Sequence, residues 1–292
     1  MSEENAIIDH DCDLCGSTDA AEIACAPGYT DGQPIHVCRG CGFVYVRRRR
    51  SYEEISRAWS DELYETVYTA RIPMVKARQM FTADFIDVSL GLAGKTVCDI
   101  GGGEGRFLQM VEADEYGATG FGIEPSAKNC ELMTGLGIEN FEGSIEDFHA
   151  DAAMKDRRFD VATIMWTLEA CQSCRGMMQA AYDLLEPGGH VVVATGSRIL
   201  VPFKKPLQYY LGPNDADTHP FRFSENTLSG LMAETGFKMT HVNRYIDSDW
   251  MVMIGQKAEP GTDIPWRSDD PDAVLEFFQR WHDDTEAHYK GQ

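Results

Sequence analysis

Short apolar runs alternate with amphipathic stretches along the central part of the chain. Runs such as Phe159–Glu169 and Val191–Thr195 have the length and composition of buried strands. The stretch from Met74 to Val88 instead carries apolar residues at helical spacing. This alternation predicts an α/β fold in which helices connect parallel strands. Near the end, Lys238–Val242 and Trp250–Gly255 predict an antiparallel hairpin.

A glycine-rich turn follows one of the predicted strands. In the segment Val97–Phe107, a strand that ends in Asp99 is followed by three alternating glycines before a helix begins. Glycines permit the backbone angles of a tight turn and let a ligand approach the N–H groups. Arg106 stands where the dinucleotide fingerprint requires Gly or Ala, which disfavours a nicotinamide or flavin cofactor. The stretch Gly94–Thr96 lacks the context of a phosphate-binding loop, because the strand follows it instead of preceding it.

The glycine turn and four later segments resemble class I S-adenosylmethionine-dependent methyltransferases, in the same order, over about residues 60–257. The resemblance implies a Rossmann-like sheet, mostly parallel with a terminal antiparallel strand. It also implies that Glu124 accepts hydrogen bonds from the two ribose hydroxyls of the cofactor. Ser144 stands where relatives usually carry aspartate. The residues that the resemblance assigns to the cofactor are Asp99, Gly101, Gly102, Gly103, Glu124, Ser144, Ile145 and Met165.

An aromatic lid over the cofactor is a further expectation from this resemblance. Tyr64 and Tyr68 lie in the predicted helical segment that precedes the glycine turn. An aromatic face attracts a cation such as the sulfonium group. The same four-residue spacing is also typical of ordinary helix packing, so both interpretations stay open.

Two cysteine pairs near the amino end share the pattern Cys-x-x-Cys-Gly. Cys12 and Cys15 form the first pair, and Cys38 and Cys41 form the second. Two such pairs supply the four thiolates of a closed tetrahedral zinc site, which is structural and not catalytic. Two disulfides are the alternative. No secretory apolar segment precedes Cys12, so we expect a cytoplasmic protein with a structural zinc ion.

The charge balance restricts the classes of partner. The 292 residues include 47 acidic and 26 basic ones, a net charge of −21, which disfavours nucleic acid as a partner. No run of eighteen apolar residues is present, so we expect no membrane span. Arg47–Arg50 is a local exception. It is either a solvated connector or a grip on an anionic substrate, such as the diphosphate of a nucleotide sugar, with Lys204 and Lys205 opposite.

Two residues are candidates for the catalytic base that removes a proton from the acceptor. His219 begins a His-x-x-x-Phe-Ser segment of the kind that similar methyltransferases carry, and Ser224 is expected to cap the helix that follows. Glu169 ends the fourth predicted strand. A structural link to the backbone is the alternative for His219, and a hydrogen bond to a sugar hydroxyl is the alternative for Glu169.

Four regions are expected along the chain. Residues 1–50 form a zinc-ribbon module, and residues 51–95 form a helical lid or linker. Residues 96–257 form the S-adenosylmethionine-binding domain, with a substrate-covering insertion at about 197–223. Residues 258–292 form an acidic tail whose amphipathic helix packs on its own chain or on the second subunit of a homodimer.

The expected reaction is methyl transfer to a small polar acceptor. A cysteine ribbon ahead of such a domain resembles methyltransferases of deoxysugar and surface-glycan pathways. A sugar, a sugar nucleotide or a related metabolite is therefore the expected acceptor, with O-methylation favoured over C- or N-methylation. The alternatives are a non-catalytic zinc-ribbon scaffold protein with this fold and a protein methyltransferase.

Overall fold

A computed structural model describes residues 7–51, 72–196, 198–202, 205–212, 216–246 and 250–289. Tyr64, Tyr68 and Lys204, named above as candidates, lie outside the described residues. Among the described residues, no helix combines the length and the apolar composition needed to cross a bilayer.

The amino-terminal region forms two small antiparallel sheets. Its strands are β1 (Ile8–Asp9), β2 (Ala20–Glu22), β3 (His36–Cys38), β4 (Val44–Tyr45) and β5 (Arg48–Arg49). Strand β3 pairs with β2 on one side and with β4 on the other, while β1 pairs with β5. The first cysteine pair lies between β1 and β2, and the second consists of Cys38 at the end of β3 and Cys41 in the turn before β4.

Eight further strands follow along the chain. They are β6 (Thr96–Ile100), β7 (Thr119–Glu124), β8 (Glu139–Glu142), β9 (Phe159–Met165), β10 (Leu185–Thr195), β11 (Phe221–Arg222), β12 (Phe237–Val242) and β13 (Met251–Lys257). Seven of them form one sheet in the order β12-β13-β10-β9-β6-β7-β8. In this sheet β13 runs antiparallel to the other six strands, which confirms the predicted, mostly parallel fold class.

Eight α-helices lie within the described residues. They are α1 (Ile72–Leu90), α2 (Arg106–Glu112), α3 (Ala127–Gly135), α4 (Ile145–Ala150), α5 (Cys174–Asp183), α6 (Gln208–Leu211), α7 (Glu225–Glu234) and α8 (Pro271–Tyr289). Serine side chains cap the amino ends of α3, α4, α5 and α7 by accepting hydrogen bonds from backbone N–H groups. The cap of α7 is Ser224, as predicted.

The core of the large sheet follows the alternation of its strands. Val191 and Val193 of β10 belong to one apolar cluster, and Val192 and Ala194 belong to another. Successive side chains of a strand point to opposite faces, so the two clusters lie on the two sides of the sheet. The parallel strands all end at the same edge, where ligands bind in folds of this type.

Strand β11 lies in the amino-terminal sheet although it comes from the distant segment before α7. Phe221 pairs with Tyr45 and Arg222 pairs with Val44 of β4. The ring of Phe221 stacks on Phe43 with the ring centroids 6.1 Å apart. The small sheet is thereby completed by residues from the other half of the chain.

Helix α8 packs on the same chain. Its buried residues Val274, Phe278 and Trp281 share an apolar cluster with Ile35 and Val46 of the amino-terminal region. The Asp270 side chain accepts a hydrogen bond from the backbone N–H of Ala273 and so caps the helix. The sequence left two partners open for this helix, and the structure places it on its own amino-terminal sheet.

Candidate functional site

Asp99 and Thr163 lie side by side on β6 and β9, close to the edge where the parallel strands end. The Asp99 side chain is 2% exposed, and its Oδ1 accepts a hydrogen bond of 2.6 Å from Thr163 Oγ1. Burial raises the pKa of the Asp99 carboxyl group to about 7, and the nearby negative charge of Glu124 adds to the shift. The strand that leads into the glycine turn thus carries a carboxyl group whose pKa is close to neutral pH.

Glu124 joins the end of β7 to the glycine turn. Its Oε2 accepts a hydrogen bond of 2.9 Å from the backbone N–H of Gly103, and its Oε1 accepts one of 2.9 Å from that of Ser126. The side chain is 9% exposed. The structure therefore brings together Asp99, Gly103 and Glu124, three residues that the sequence assigns to the cofactor.

The first half of the glycine turn is held tightly between two strands. The N–H groups of Gly101 and Gly102 both donate to the carbonyl oxygen of Ile123, at 2.8 and 3.2 Å. Gly101 has a φ of +76°, and a Cβ atom there would lie 2.7 Å from Cγ2 of Thr167. A side chain at this position would be strained in its backbone and would displace Thr167. The turn needs glycine here, and the carboxylate of Glu124 stays close to its backbone.

Ser144, Ile145 and Met165 take positions around the same edge. Ser144 caps α4 in a reciprocal arrangement: its Oγ accepts the backbone N–H of Asp147, and its own N–H donates to Asp147 Oδ2 at 2.9 Å. Ile145 is 3% exposed, and Met165, the last residue of β9, is 8% exposed. Their contacts with the cofactor stay a prediction.

Trp166 is a feature that the sequence analysis did not single out. It directly follows β9 and has a φ of +58°, a region that bulky residues rarely adopt. Its backbone N–H donates to the carbonyl oxygen of Ala194 at 2.7 Å, and the Arg78 guanidinium lies 3.9 Å from the centroid of the ring. Such backbone strain clusters at functional sites. The only sequence signal was an aromatic residue at the end of a central strand.

Glu169 lies at the same edge, next to the end of β10. Its side chain is 6% exposed, and Oε1 accepts a hydrogen bond of 3.0 Å from the backbone N–H of Gly196. Oε2 is buried and finds no hydrogen-bond partner in the described part of the chain. Burial raises the pKa of this carboxyl group, against the opposing effect of the Gly196 N–H group. A buried oxygen that lacks a partner is a candidate for contact with a ligand.

His219 precedes β11, and its environment favours the neutral imidazole. Burial, together with the positive charge of Arg222, lowers the pKa of His219 to about 4. Nδ1 lies 3.4 Å from Thr218 Oγ1, and the His219 carbonyl oxygen accepts a hydrogen bond of 3.0 Å from Arg222 Nη1. The backbone of Phe221 also donates to the Glu169 carbonyl oxygen at 3.3 Å, which connects the two candidate bases through β11.

The arginine run Arg47–Arg50 is engaged within the protein. Arg49 is 3% exposed, and its Nη2 lies 3.2 Å from Asp13 Oδ1. Arg50 binds Asp217 through two nitrogens, with Nη2 to Oδ1 at 2.6 Å and Nε to Oδ2 at 2.9 Å. Neither interpretation of the run, a solvated connector or an anion grip, describes these two residues. Arg49 forms its ion pair within the ribbon, and Arg50 connects the end of the ribbon to the segment before His219.

The four amino-terminal cysteines converge on one point. Their sulfur atoms all lie within 4.8 Å of one another, with 3.6 Å between Cys12 and Cys41 and 3.5 Å between Cys15 and Cys38. A tetrahedral site with metal–sulfur bonds of about 2.3 Å has edges of about 3.8 Å. The backbone N–H of Gly40 also donates to Cys38 Sγ at 3.3 Å. The arrangement therefore fits a tetrahedral metal ion, and all four cysteines are free thiols.

The other Cys-x-x-Cys pair has a different environment. Cys171 and Cys174 are buried, and burial raises the pKa of both thiols. A thiol with a raised pKa is a poor nucleophile and a poor ligand. These residues contribute to the core beneath α5.

Comparisons with known proteins place this geometry in context. A family model described as a methyltransferase domain matches residues 74–242, more than half of the chain. The matched region includes every strand of the large sheet from β6 to β12, together with Glu169 and His219.

The curated relatives are named as ubiquinone biosynthesis O-methyltransferases. The one from Cupriavidus pinatubonensis is 36% identical over 200 residues, which cover 60% of this chain and 78% of the relative. The one from Aromatoleum aromaticum is 28% identical over 153 residues, covering 51% and 62% of the two chains. For the relative from Cronobacter sakazakii, 33% identical over 112 residues, the chain spans 45% of its length.

Solved structures share the fold at low sequence identity. A Burkholderia thailandensis 1,6-didemethyltoxoflavin-N1-methyltransferase with bound S-adenosylhomocysteine has a TM-score of 0.54 at 17% identity and covers 71% of this chain and 89% of its own. A complex of the Haloferax volcanii Trm112 methyltransferase activator with a methyltransferase has a TM-score of 0.54 at 15% identity, covering 68% and 99%. These matches support the fold class.

Proposed function

We propose that this chain, which belongs to the S-adenosylmethionine-dependent methyltransferases, transfers a methyl group to an oxygen atom of a small polar acceptor. The observation that carries this proposal is the arrangement at one edge of the large sheet. Glu124 is bonded to the glycine turn there, and Glu169 lies buried with one oxygen lacking a partner among the described residues. One carboxylate thus serves the cofactor and the other serves the acceptor.

The residues of the turn fit the cofactor that the family implies. Glu124 is oriented by the N–H groups of Gly103 and Ser126, and a carboxylate so oriented can accept both ribose hydroxyls. Gly101 has a φ of +76° and no room for a side chain, so the shape of the turn requires glycine at this position. S-adenosylmethionine supplies an electrophilic methyl group when it is bound. Asp99 supports the turn from behind.

The acceptor must lose a proton when its oxygen is methylated. Glu169 is the stronger candidate base, because its buried Oε2 makes no hydrogen bond within the described part of the chain and burial raises the pKa of the group. His219, neutral because its pKa is lowered to about 4, accepts or donates a hydrogen bond at the acceptor. Trp166 and Met165, at the end of β9, border the proposed acceptor site and exclude water from it.

O-methylation agrees with the names of the curated relatives. A hydroxylated sugar or sugar nucleotide is the first class of acceptor to screen, because a cysteine ribbon precedes the domain. Intermediates of ubiquinone biosynthesis form a second class, because the relatives are named for that pathway.

We also infer that the four amino-terminal cysteines hold a structural zinc ion. Four thiolates this close together repel one another unless a cation lies between them, and a closed cage leaves no position for a substrate. The ion would connect the turn between β1 and β2 to the turn between β3 and β4. Metal analysis of the purified protein is expected to find one zinc ion per chain.

Calorimetry with S-adenosylhomocysteine tests the cofactor assignment. We expect the protein to bind this compound and the Glu124→Ala variant to bind it at least about tenfold more weakly, because two charge-assisted hydrogen bonds are lost. Glu142→Ala is the matched control, because Glu142 is exposed and lies opposite Glu124 on the next strand. Absence of binding to the unaltered protein would refute the enzyme proposal. Equal binding by Glu124→Ala would refute the ribose assignment alone.

A further inference from the structure

Arg222 is a buried arginine that has no carboxylate partner in the described part of the chain. The residue is 5% exposed, and its Nη1 donates a hydrogen bond of 3.0 Å to the carbonyl oxygen of His219. A guanidinium group offers five N–H donors in a planar fork. The edge formed by Nε and Nη2, which binds carboxylates and phosphates through two parallel hydrogen bonds, is therefore left for another partner.

The other buried arginines of the described residues are compensated. Arg49 pairs with Asp13, and Arg198 donates to Asn243 and lies 3.9 Å from a carboxylate oxygen of Glu225. Buried charges in proteins are almost always paired, because an isolated charge loses its hydration. The chain has 47 acidic residues, so it is unusual that none of those described in the structure pairs with Arg222.

The surroundings of Arg222 include an imidazole and a phenol. The positive charge of Arg222 adds to the effect of burial in lowering the pKa of His219. Burial lowers the pKa of Arg222 itself, and the nearby Tyr210 phenol acts in the opposite direction. A buried guanidinium group thus lies beside two polar side chains in a protein whose net charge is strongly negative.

The position of Arg222 in β11 places it beside the candidate acceptor site. Phe221, its neighbour, packs on Phe43 and donates its backbone N–H to the carbonyl oxygen of Glu169. Side chains alternate along a strand, so Arg222 points to the face opposite to that of Phe221. The same short strand therefore contacts the backbone of one candidate base, Glu169, and carries Arg222 next to the other, His219.

We propose that Arg222 binds an oxyanion of the methyl acceptor, either a carboxylate or a phosphate group. This inference rests on the proposed function, because it names the charge of that enzyme's acceptor. It also replaces the arginine run as the source of anion recognition, since Arg49 and Arg50 are occupied by Asp13 and Asp217. The ribbon then has a place in substrate binding, because β4 holds the strand on which Arg222 lies.

Calorimetry with two simple probes, benzoate and inorganic phosphate, tests the proposal. Each probe is titrated into the full chain saturated with S-adenosylhomocysteine at low ionic strength. We expect at least one probe to bind, and Arg222→Gln to weaken that binding at least about tenfold through loss of a charge-assisted bidentate contact. Arg39→Gln is the control, because Arg39 forms an exposed ion pair with Asp272. The Arg39→Gln variant should bind the probe as tightly as the unaltered protein does. Which of the two probes binds shows whether the oxyanion is a carboxylate or a phosphate.

Arg222→Lys keeps the charge but loses the fork, so its binding should be intermediate and at least about threefold weaker than that of the unaltered protein. If Arg222→Gln does not fold, Arg222→Lys tests the proposal in its place. Equal probe binding by the unaltered protein and either Arg222 variant would overturn the proposal, as would no binding of either probe up to about 50 mM, far above a millimolar Kd. If S-adenosylhomocysteine itself does not bind, the proposed function fails. The same titrations into the free protein then still decide the role of Arg222.

Discussion

The buried carboxyl group of Asp99 is expected to make the stability of the protein fall as the pH rises. Its pKa is about 7 in the folded protein against 3.8 for an aspartate exposed to water, because burial disfavours the charged form. The folded state therefore holds the proton more tightly than the unfolded state does. By linkage, this group stabilises the fold fully below pH 3.8, and that contribution is lost as the pH rises through about 7.

Asp99→Asn removes the titration while keeping the contact. The asparagine Oδ1 can still accept the hydrogen bond from Thr163 Oγ1. At about 1.4 kcal/mol for each unit of pKa shift, the difference of roughly 3 units corresponds to about 4 kcal/mol over the whole window. Asp99 is 2% exposed, so solvent screening reduces this value little. Between pH 5 and pH 8, the stability of the variant relative to the unaltered protein is expected to rise by about 3 kcal/mol.

Urea denaturation at several pH values between 5 and 8 measures this difference. Asp160→Asn is the matched control, because Asp160 lies on the neighbouring strand β9 and the pKa of its carboxyl group is lowered by the Thr96 backbone N–H. A carboxyl group with a lowered pKa stabilises the fold at pH values above its pKa in the unfolded protein, and this contribution is lost only as the pH falls below that pKa. Asp160 is therefore ionised in both the folded and the unfolded protein throughout this pH range.

The stability of the two variants, relative to that of the unaltered protein, therefore depends differently on pH. The stability difference between Asp160→Asn and the unaltered protein should stay constant with pH, whereas that for Asp99→Asn should grow. Parallel behaviour of the two variants would refute the assignment of a proton to Asp99. The unaltered protein serves as the reference at every pH, which cancels the titration of all other groups.

Three further predictions address the turn, the base and the metal cage. Gly105→Ala should lower the free energy of unfolding, measured by urea titration, by about 1–3 kcal/mol, because Gly105 has a φ of +76° and a Cβ there would lie 2.6 Å from a carbon of the facing helix. The control Gly135→Ala has open space around the new Cβ and should change the free energy of unfolding by less than about 1 kcal/mol. Glu169→Gln should bind S-adenosylhomocysteine normally in calorimetry but methylate its acceptor about 100-fold more slowly, and equal turnover would exclude it as the base. Cys41→Ser should lose bound zinc in metal analysis and melt at a lower temperature, whereas Cys25→Ser, outside the cage, should retain the metal.

The large sheet could be predicted from local patterns because each of its signals lies within a short stretch of sequence. The alternation in β10 sends Val191 and Val192 to opposite faces, and the glycine turn follows β6 directly. The convergence of the four cysteines followed from the spacing of two Cys-x-x-Cys pairs, because each pair can direct both sulfurs to one point. Such features depend on neighbours in the chain.

The contacts of the arginines could not be predicted, because their partners are distant in sequence. Arg50 meets Asp217, and β11 joins β4, only after the whole domain has folded. The spacing of residues gave no reason to connect them. The orientation of Arg222 follows from that pairing and could not be read from a single arginine between two phenylalanines.

Local strain was likewise hidden in the sequence. Trp166 adopts a positive φ because its backbone N–H bonds to Ala194 of the adjacent strand while its ring packs under Arg78. No sequence pattern indicates that a tryptophan at the end of a strand adopts a positive φ. The carboxylate of Glu169 was predicted as a candidate, but the buried and unbonded state of its Oε2 follows from tertiary packing.

The strand β11 also bears on how the protein is made. During synthesis, the edge of β4 that receives Phe221 and Arg222 stays uncovered until the ribosome has produced nearly the whole large sheet, and α8 arrives later still. An open strand edge above an apolar face is a template for aggregation, and contacts between distant segments form slowly. Early metal binding by the cysteines would hold the nascent turns in place during this interval. Expression of residues 1–50 by themselves would leave that edge exposed permanently, so the ribbon and the rest of the chain are best produced together.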